Sequence, residues 1–196
     1  MRTSTRERKT LETEIKISLN LDGTGKRNIS TGIKFFDHML EQFAAHGHFD
    51  IDINSKSLDG DSHHVLEDTA ITLGEAFKEA LGDKKGIKRY GHAIIPMDEA
   101  LVLSVVDLRG RPFSGVDVEI EERIVSDFET VLLKHFFNSF SVASASTIHI
   151  KLLAGEDTHH KIEAVFKSFA RALSQAVSID EKHSDITPST KGILLK

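Results

Sequence analysis

Between residues 13 and 21 polar and apolar side chains alternate with period two, placing Ile15, Ile17, Leu19 and Leu21 on one face, the mark of a half-buried strand. Asp22-Gly23-Thr24-Gly25 reads as a turn, and residues 26–31 return as the second strand of a hairpin. Over residues 35–45 the period becomes helical, with Phe36, Met39, Leu40 and Phe43 on one side and a stop at His46-Gly47. Residues 49–53 alternate once more. A polar run then leads into a longer helix whose buried stripe is Leu66, Ala70, Leu73, Phe77 and Leu81, with Asp61 or Ser62 as its cap and Gly82 as its stop.

The second half of the chain repeats this pattern. Ile162, Phe166, Phe169, Leu173 and Val177 follow the first helix's stripe at a constant offset of 96 residues. With one residue of slippage, residues 133–140 match 36–43, which sets His135 opposite His38. Residues 101–108 and 113–120 read as two strands around Arg109-Gly110-Arg111-Pro112 and mirror the opening hairpin, while residues 147–152 match the strand at 49–53. Each half therefore reads strand, strand, helix, strand, helix. The break falls near residues 86–95, giving half-repeats 1–90 and 91–196. A sheet with one apolar face and two amphipathic helices suits a layered α+β unit. With no Pro, Gly or Ser linker between them, two such units predict one compact duplicated domain, two sheets flanking a central helix layer.

A polar motif repeats at the same offset. Asp61-Ser62-His63-His64-Val65-Leu66-Glu67 and Asp157-Thr158-His159-His160-Lys161-Ile162-Glu163 both read Asp-x-His-His-x-x-Glu. Residues three and four apart share a helix face, so each copy pairs imidazole nitrogens with a carboxylate. Neighbouring histidines diverge by about 100° around a helix, so one His-His pair does not easily serve one ion. A single copy could equally be a solvated helix start. Two copies, with a further histidine equivalently placed in each half, point to metal binding by His38, His63, His64 and Glu67 with His135, His159, His160 and Glu163. Eight such ligands divide into two sites of three imidazoles and a carboxylate, leaving positions open for water or substrate in a six-coordinate metal. Nitrogen and oxygen donors without sulfur admit Mn, Fe, Zn, Co or Ni.

Other polar residues gather near these motifs. His46, two turns beyond His38, can reach the same region as a substrate contact. Arg89, Arg111, Lys167 and the tail Pro188-Ser189-Thr190-Lys191-Gly192 could together form an anion pocket, although each alone would be a solvated charge. Glu12, Asp98 and Glu99 are spare carboxylates able to move protons. His48, His92, His149 and His183 lack both a symmetric partner and a carboxylate at helical spacing, so they read as surface or local hydrogen-bonding groups.

Composition narrows the classes. A net charge of −5, one Tyr and no Trp argue against a nucleic-acid partner. No apolar run approaches the roughly 20 residues of a membrane span. The polar start and the absence of cysteine fit a cytosolic protein without disulfides.

Taken in order, the motifs resemble those of the imidazoleglycerol-phosphate dehydratase family. They are Phe36-Asp37-His38-Met39-Leu40, Asp61-Ser62-His63-His64 through Glu67-Asp68, Arg89-Tyr90-Gly91, Pro96-Met97-Asp98-Glu99-Ala100, Gly110-Arg111-Pro112, His135-Phe136-Phe137, His159-His160 through Glu163-Ala164, and the Pro188–Gly192 tail. Arg109 stands where that family's pattern leads us to expect Ser. The resemblance implies a duplicated fold similar to the second domain of ribosomal protein S5, two manganese ions per active site, and a 24-subunit homo-oligomer with sites at subunit interfaces. It further implies a substrate site lined by Glu12, Gln42, His46 and Asp98, a phosphate held by Arg89, Arg111, Lys167, Ser189 and Lys191, and catalysis by Glu163, Glu12 and His46. The implied reaction is a step of histidine biosynthesis: imidazoleglycerol phosphate loses water through a dimetal-bound imidazolate and a diazafulvene-like intermediate to give imidazole acetol phosphate. Competing readings are a dimetal hydrolase of a phosphorylated small molecule and a metal-storage or metal-sensing module. RNA binding would rest on fold analogy alone.

Overall fold

The computed structural model describes residues 1–194; residues 195 and 196, the end of the second half-repeat as assigned from sequence, lie outside the described residues. Strand β1 (Thr3–Lys9) pairs antiparallel with β2 (Thr13–Asn20), and β2 pairs antiparallel with β4 (Asp50–Ser57). The short β3 (Arg27–Ser30) completes the sheet as a parallel neighbour of β4, reached through helix α1 (Lys34–Gly47). Helix α2 (Ser62–Leu81) follows. The second sheet has the same plan. β5 (Tyr90–Met97), β6 (Ala100–Asp107) and β10 (Thr147–Ala154) are antiparallel in that order, and β7 (Phe113–Asp117) adds parallel to β10. Between β7 and helix α3 (Leu132–Ser144) lies a small ribbon, β8 (Ile124–Val125) with β9 (Phe128–Glu129). Helix α4 (Thr158–Val177) and a short 3-10 turn, Glu181–His183, end the fold.

The duplicated α+β architecture is the one predicted, with three corrections. Each half opens with an extra edge strand, β1 or β5. β1 reads Thr-Ser-Thr-Arg-Glu-Arg-Lys and contains no apolar residue, so its alternation is invisible to a hydrophobic pattern. Charged side chains of this kind also protect an exposed edge from further pairing. The second correction concerns the expected hairpins. β3 does not pair with β2, nor β7 with β6, because β4 and β10 insert between them after a helical crossover. Thirdly, the predicted strand 113–120 ends at Asp117.

Where the one-residue slip falls is now clear. α2 and α4 keep the 96-residue offset from end to end, whereas β4 and β10 differ by 97. The loop before α2 is residues 58–61 and the loop before α4 is residues 155–157, one residue shorter.

Each sheet buries one face: Ile15, Ile17 and Leu19 with Ile51 and Ile53 in the first, Val102 and Val106 with Ile148 and Ile150 in the second. Onto these faces pack the helices, but their helix partners lie in the opposite half, α1 against α4 and α2 against α3. Aromatic pairs fill these seams, with ring centroids 5.6 Å apart for Phe43–Phe169 and 5.8 Å for Phe77–Phe140, and Phe36–Phe136 at 5.5 Å joins α1 to α3 between them. Such pairs contribute about 0.5–1.5 kcal/mol each beyond the burial of their area. Neither half could cover its helices alone. Among the described residues no helix is long and apolar enough to cross a membrane.

The halves are also tied at a helix end. α1 has no capping side chain of its own, since Ile33 precedes it. Asp127, in the β8–β9 turn of the other half, accepts the backbone N–H groups of Lys34 and Phe35 at 2.7 and 2.9 Å. Burial works to raise the Asp127 carboxyl, but these two amides outweigh it and hold the group below its ordinary value. Asp127→Ala should cost about 1–2 kcal/mol, the usual worth of a helix cap, measured as a lower midpoint in urea unfolding.

Candidate active site

The two His-His motifs form the first turns of α2 and α4. Asp61 accepts the His63 N–H at 2.8 Å and Asp157 accepts the His160 N–H at 2.9 Å, so both helices are capped by the first residue of the motif. A turn of about 100° per residue then sends the paired histidines in different directions. His63 and His159 face the opposite half. His64 and His160 turn towards loops of their own half.

On the α1–α4 seam, His38 Nε2 and His159 Nε2 converge on one oxygen, Glu163 Oε2, at 3.2 and 3.0 Å. Lys167, one helical turn on, pairs with the other oxygen, Oε1, at 2.5 Å. Glu163 is buried, with its side chain 7% exposed. Burial pushes its carboxyl up, yet hydrogen bonds from Lys167 and His159, the Lys167 charge and the His38 contact together hold it below the ordinary carboxylate range. It is therefore an anion at neutral pH. Gln42 Nε2 lies 3.5 Å from His38 Nδ1. His46 follows on the same face of α1, where burial and then the positive charges of Lys167 and Arg171 depress its basicity and favour the neutral ring.

A second set occupies the α2–α3 seam. The rings of His63 and His135 are 4.9 Å apart, and His63 Nε2 lies 3.6 Å from Glu67 Oε2. Each set thus takes one histidine from one half and a His–Glu pair from the other. The sequence alone had left open which of the eight ligands share a site. Helix pairing across the pseudo-symmetry axis groups them.

The two seams have diverged. Gln42, His46, Lys167 and Arg171 on the first correspond to Ser139, Ala143, Ile71 and Glu75 on the second. Among the described residues Glu67 accordingly has no lysine partner, and it is 43% exposed. His64 and His160 join neither set: among the described residues, His64 Nδ1 contacts Asp59 and His160 Nδ1 contacts Glu99, each at 2.7 Å. Glu12 lies 3.9 Å from His64 Nδ1, and Asp98 Oδ2 lies 3.7 Å from His160 Nε2.

Beyond α4, a cavity of about 580 Å³ is lined by Arg89, Arg109, Arg111, Ser189 and Lys191, together with Tyr90, Pro188 and Thr190. Arg89 is already committed within it. Its Nε and Nη2 donate to the two oxygens of Asp107 at 2.7 and 3.0 Å, and Nη1 donates to the Pro188 carbonyl at 2.9 Å. It therefore fixes the tail against β6; among the described residues the wall's other cations are Arg109, Arg111 and Lys191. Lys167 is not part of this wall.

The sequence model of the imidazoleglycerol-phosphate dehydratase family matches residues 31–173. The chain is 53% identical over 189 residues to the imidazoleglycerol-phosphate dehydratase of Marinobacter nauticus, covering 96% of each protein. Against that of Thiobacillus denitrificans it is 51% identical over 195 residues, covering 99% of this chain and all of the other. The chain belongs to the imidazoleglycerol-phosphate dehydratase family. Its fold agrees with solved structures of that family. The dehydratase of Staphylococcus aureus superposes with a TM-score of 0.83 at 37% identity, over 91% of this chain and 99% of the other, and the dehydratase of Pyrococcus furiosus with 0.83 at 39%, over 96% and 100%.

The donor set suits a divalent metal ion. Ligand atoms of His38, His159 and Glu163 all lie within 4.8 Å of one another, two neutral-capable imidazoles and one anionic carboxylate around a common point. Glu12, Asp59 and His64 also gather within 4.8 Å, but there it is the Nδ1 edge of His64 that the carboxylates face. Sequence reasoning missed Asp59 altogether. It sits in a Ser-Leu-Asp-Gly-Asp turn whose only legible signal is loop chemistry, and its contact with His64 depends on how that loop folds back.

Proposed function

We propose that this chain dehydrates imidazoleglycerol phosphate to imidazole acetol phosphate in the cytosolic synthesis of histidine. The observation that carries the reading is the convergence of His38 and His159 on the buried Glu163, with a cationic cavity formed separately by the tail. Membership of the family supports it.

The reaction removes a hydroxyl from the carbon bonded to imidazole and a proton from the next carbon, and the resulting enol relaxes to the ketone. Metal ions, manganese in our assignment, would be held by His38, His159 and Glu163 and by His63, His135 and Glu67, with His64 and His160 as further ligands. When bound they supply Lewis-acid polarisation of the imidazole ring, which has no carbonyl to act as an electron sink. Neutral His46 and Gln42 lie along α1 beside this set, suited to hydrogen-bonding the diol. Glu163 and Glu12 are the carboxylates able to take the carbon-bound proton. Arg111, Ser189, Lys191 and the additional Arg109 would hold the phosphate, with Arg89 keeping the tail in place. Lys167 belongs to the Glu163 end of the site, where it orients that carboxylate.

Since His64 and His160 turn away from both sets of their own chain, we assign the completion of each site to a neighbouring copy, within a homo-oligomer of 24 subunits. A phosphate-releasing hydrolase would use the same groups differently. The distinguishing assay is turnover of imidazoleglycerol phosphate with product and free phosphate measured together, before and after chelation. Ketone formation without phosphate, lost on chelation and restored by Mn²⁺, is expected. Turnover surviving complete metal removal would overturn the metal assignment, and stoichiometric phosphate release would overturn the dehydratase reading.

A further inference from the structure

Two carboxylates outside the ligand set are arranged alike, although they come from positions that the duplication does not relate. Glu99 lies in the β5–β6 turn. Its Oε1 accepts the backbone N–H groups of Glu156 and Asp157 at 3.1 and 2.9 Å, and its Oε2 meets His160 Nδ1 at 2.7 Å. Asp59 lies in the loop before α2. Its Oδ1 accepts the N–H of Asp61 at 3.0 Å and the hydroxyl of Ser57 at 3.1 Å, and its Oδ2 meets His64 Nδ1 at 2.7 Å. In each case one oxygen is anchored by the amide of the residue that caps the helix, and the other is presented to the Nδ1 edge of the second histidine.

The pseudo-symmetric counterpart of Glu99 is Glu12, since β2 and β6 are offset by 87 residues and Glu12 precedes β2 as Glu99 precedes β6. Glu12 stays 3.9 Å from His64 Nδ1, outside hydrogen-bonding range. Its place on that ring is taken by Asp59, which the four-residue loop before α2 can supply and the three-residue loop before α4 cannot.

We propose that Glu99 and Asp59 are positioning residues that fix the second histidine of each motif with its proton on Nδ1 and its Nε2 lone pair free for metal, and that Asp59 thereby leaves Glu12 unengaged for the reaction. The proposal rests on reading His64 and His160 as metal ligands. A carboxylate on the far nitrogen of a ligating imidazole sets its tautomer and ring orientation, and loss of such a partner commonly costs about 10–100-fold in metal affinity. The isosteric amide tests this directly. In Glu99→Gln the carbonyl oxygen can remain on the two backbone amides, which turns the NH₂ towards His160 Nδ1. That nitrogen must then accept, the ring proton moves to Nε2, and the lone pair needed by the metal is blocked.

The experiment is Mn²⁺ titration of the metal-free assembled protein, with unbound Mn²⁺ counted by its EPR signal, for wild type, Glu99→Gln, Asp59→Asn, Glu12→Gln and His160→Gln. Glu99→Gln and Asp59→Asn should each weaken Mn²⁺ binding by about 10–100-fold, with the thermal unfolding midpoint of the metal-free protein unchanged. Glu12→Gln should lose turnover while keeping wild-type Mn²⁺ affinity. If His160→Gln weakens binding but Glu99→Gln and Asp59→Asn do not, the positioning role is overturned. If His160→Gln itself binds Mn²⁺ as wild type does, it is the ligand reading that fails. Equal losses in Glu12→Gln and Asp59→Asn would overturn the division of labour between those two.

Discussion

Glu163→Gln should lower kcat/KM by about 10²–10⁴-fold, the range associated with removing a positioned proton-transfer group, and should reduce bound metal at the same time. No other side chain in the described residues accepts from two candidate ligand histidines and a lysine at once. The amide keeps the shape but removes the negative charge, leaving Lys167 partnered by a neutral group. Because Glu163 and Lys167 are only 7% and 15% exposed, much of the cost of breaking a buried ion pair should appear, about 3 kcal/mol. The double variant Glu163→Gln/Lys167→Met separates the two effects. Its unfolding free energy should recover while turnover and metal content stay low. A Glu163→Gln protein with wild-type turnover and full metal content would sink the site assignment.

Gly91→Ala should cost about 3 kcal/mol or more, read from the urea midpoint, and should be the most damaging single methyl added anywhere near the site. A Cβ built on Gly91 falls 1.8 Å from the carbonyl oxygen of Ala172 and 2.9 Å from the nitrogen of Ala176. Both are backbone atoms of α4, so no side chain can swing aside. Relief requires β5 and α4 to separate, and α4 carries His159, Glu163 and Lys167. Turnover should therefore fall more than the loss of folded protein explains. Gly82→Ala makes a useful contrast: among the described residues nothing beyond its chain neighbours lies within 4 Å of its new Cβ, and its cost would come from the positive φ of 65°. Comparable destabilisation in the two variants would mean that the close approach of strand to helix is not what Gly91 serves.

The ligands and their helices were legible in the sequence because their signals are local. Asp61 and Asp157 cap, the stripes from Leu66 and Ile162 bury, and the His-His-x-x-Glu spacing follows from the same helical period in both copies. An offset of 96 residues then made the halves visible. Edge strand β1 was missed because it carries no apolar residue, and β5 because its inward face opens with Gly91 and Ala93, too small to mark an alternation; the hairpins were misread because neighbours in sequence need not be neighbours in a sheet.

Where ligands meet is a different kind of fact. His38 finds Glu163 because α1 packs on α4 through Phe43 and Phe169, and His135 finds His63 because α3 packs on α2. Those pairings depend on which apolar stripes cover one another, a choice made by the whole core rather than by any motif. Arg89 shows the same limit: its charge was legible in the sequence, but its engagement by Asp107 and the Pro188 carbonyl was not. Sequence by itself determined the duplication, the helix faces and the types of ligand, since each is set by spacing along one element. Only the tertiary structure decided which half partners which, which carboxylates are anchored and which are free, because those depend on distances between residues far apart in the chain, such as His38 and Glu163, 125 positions apart.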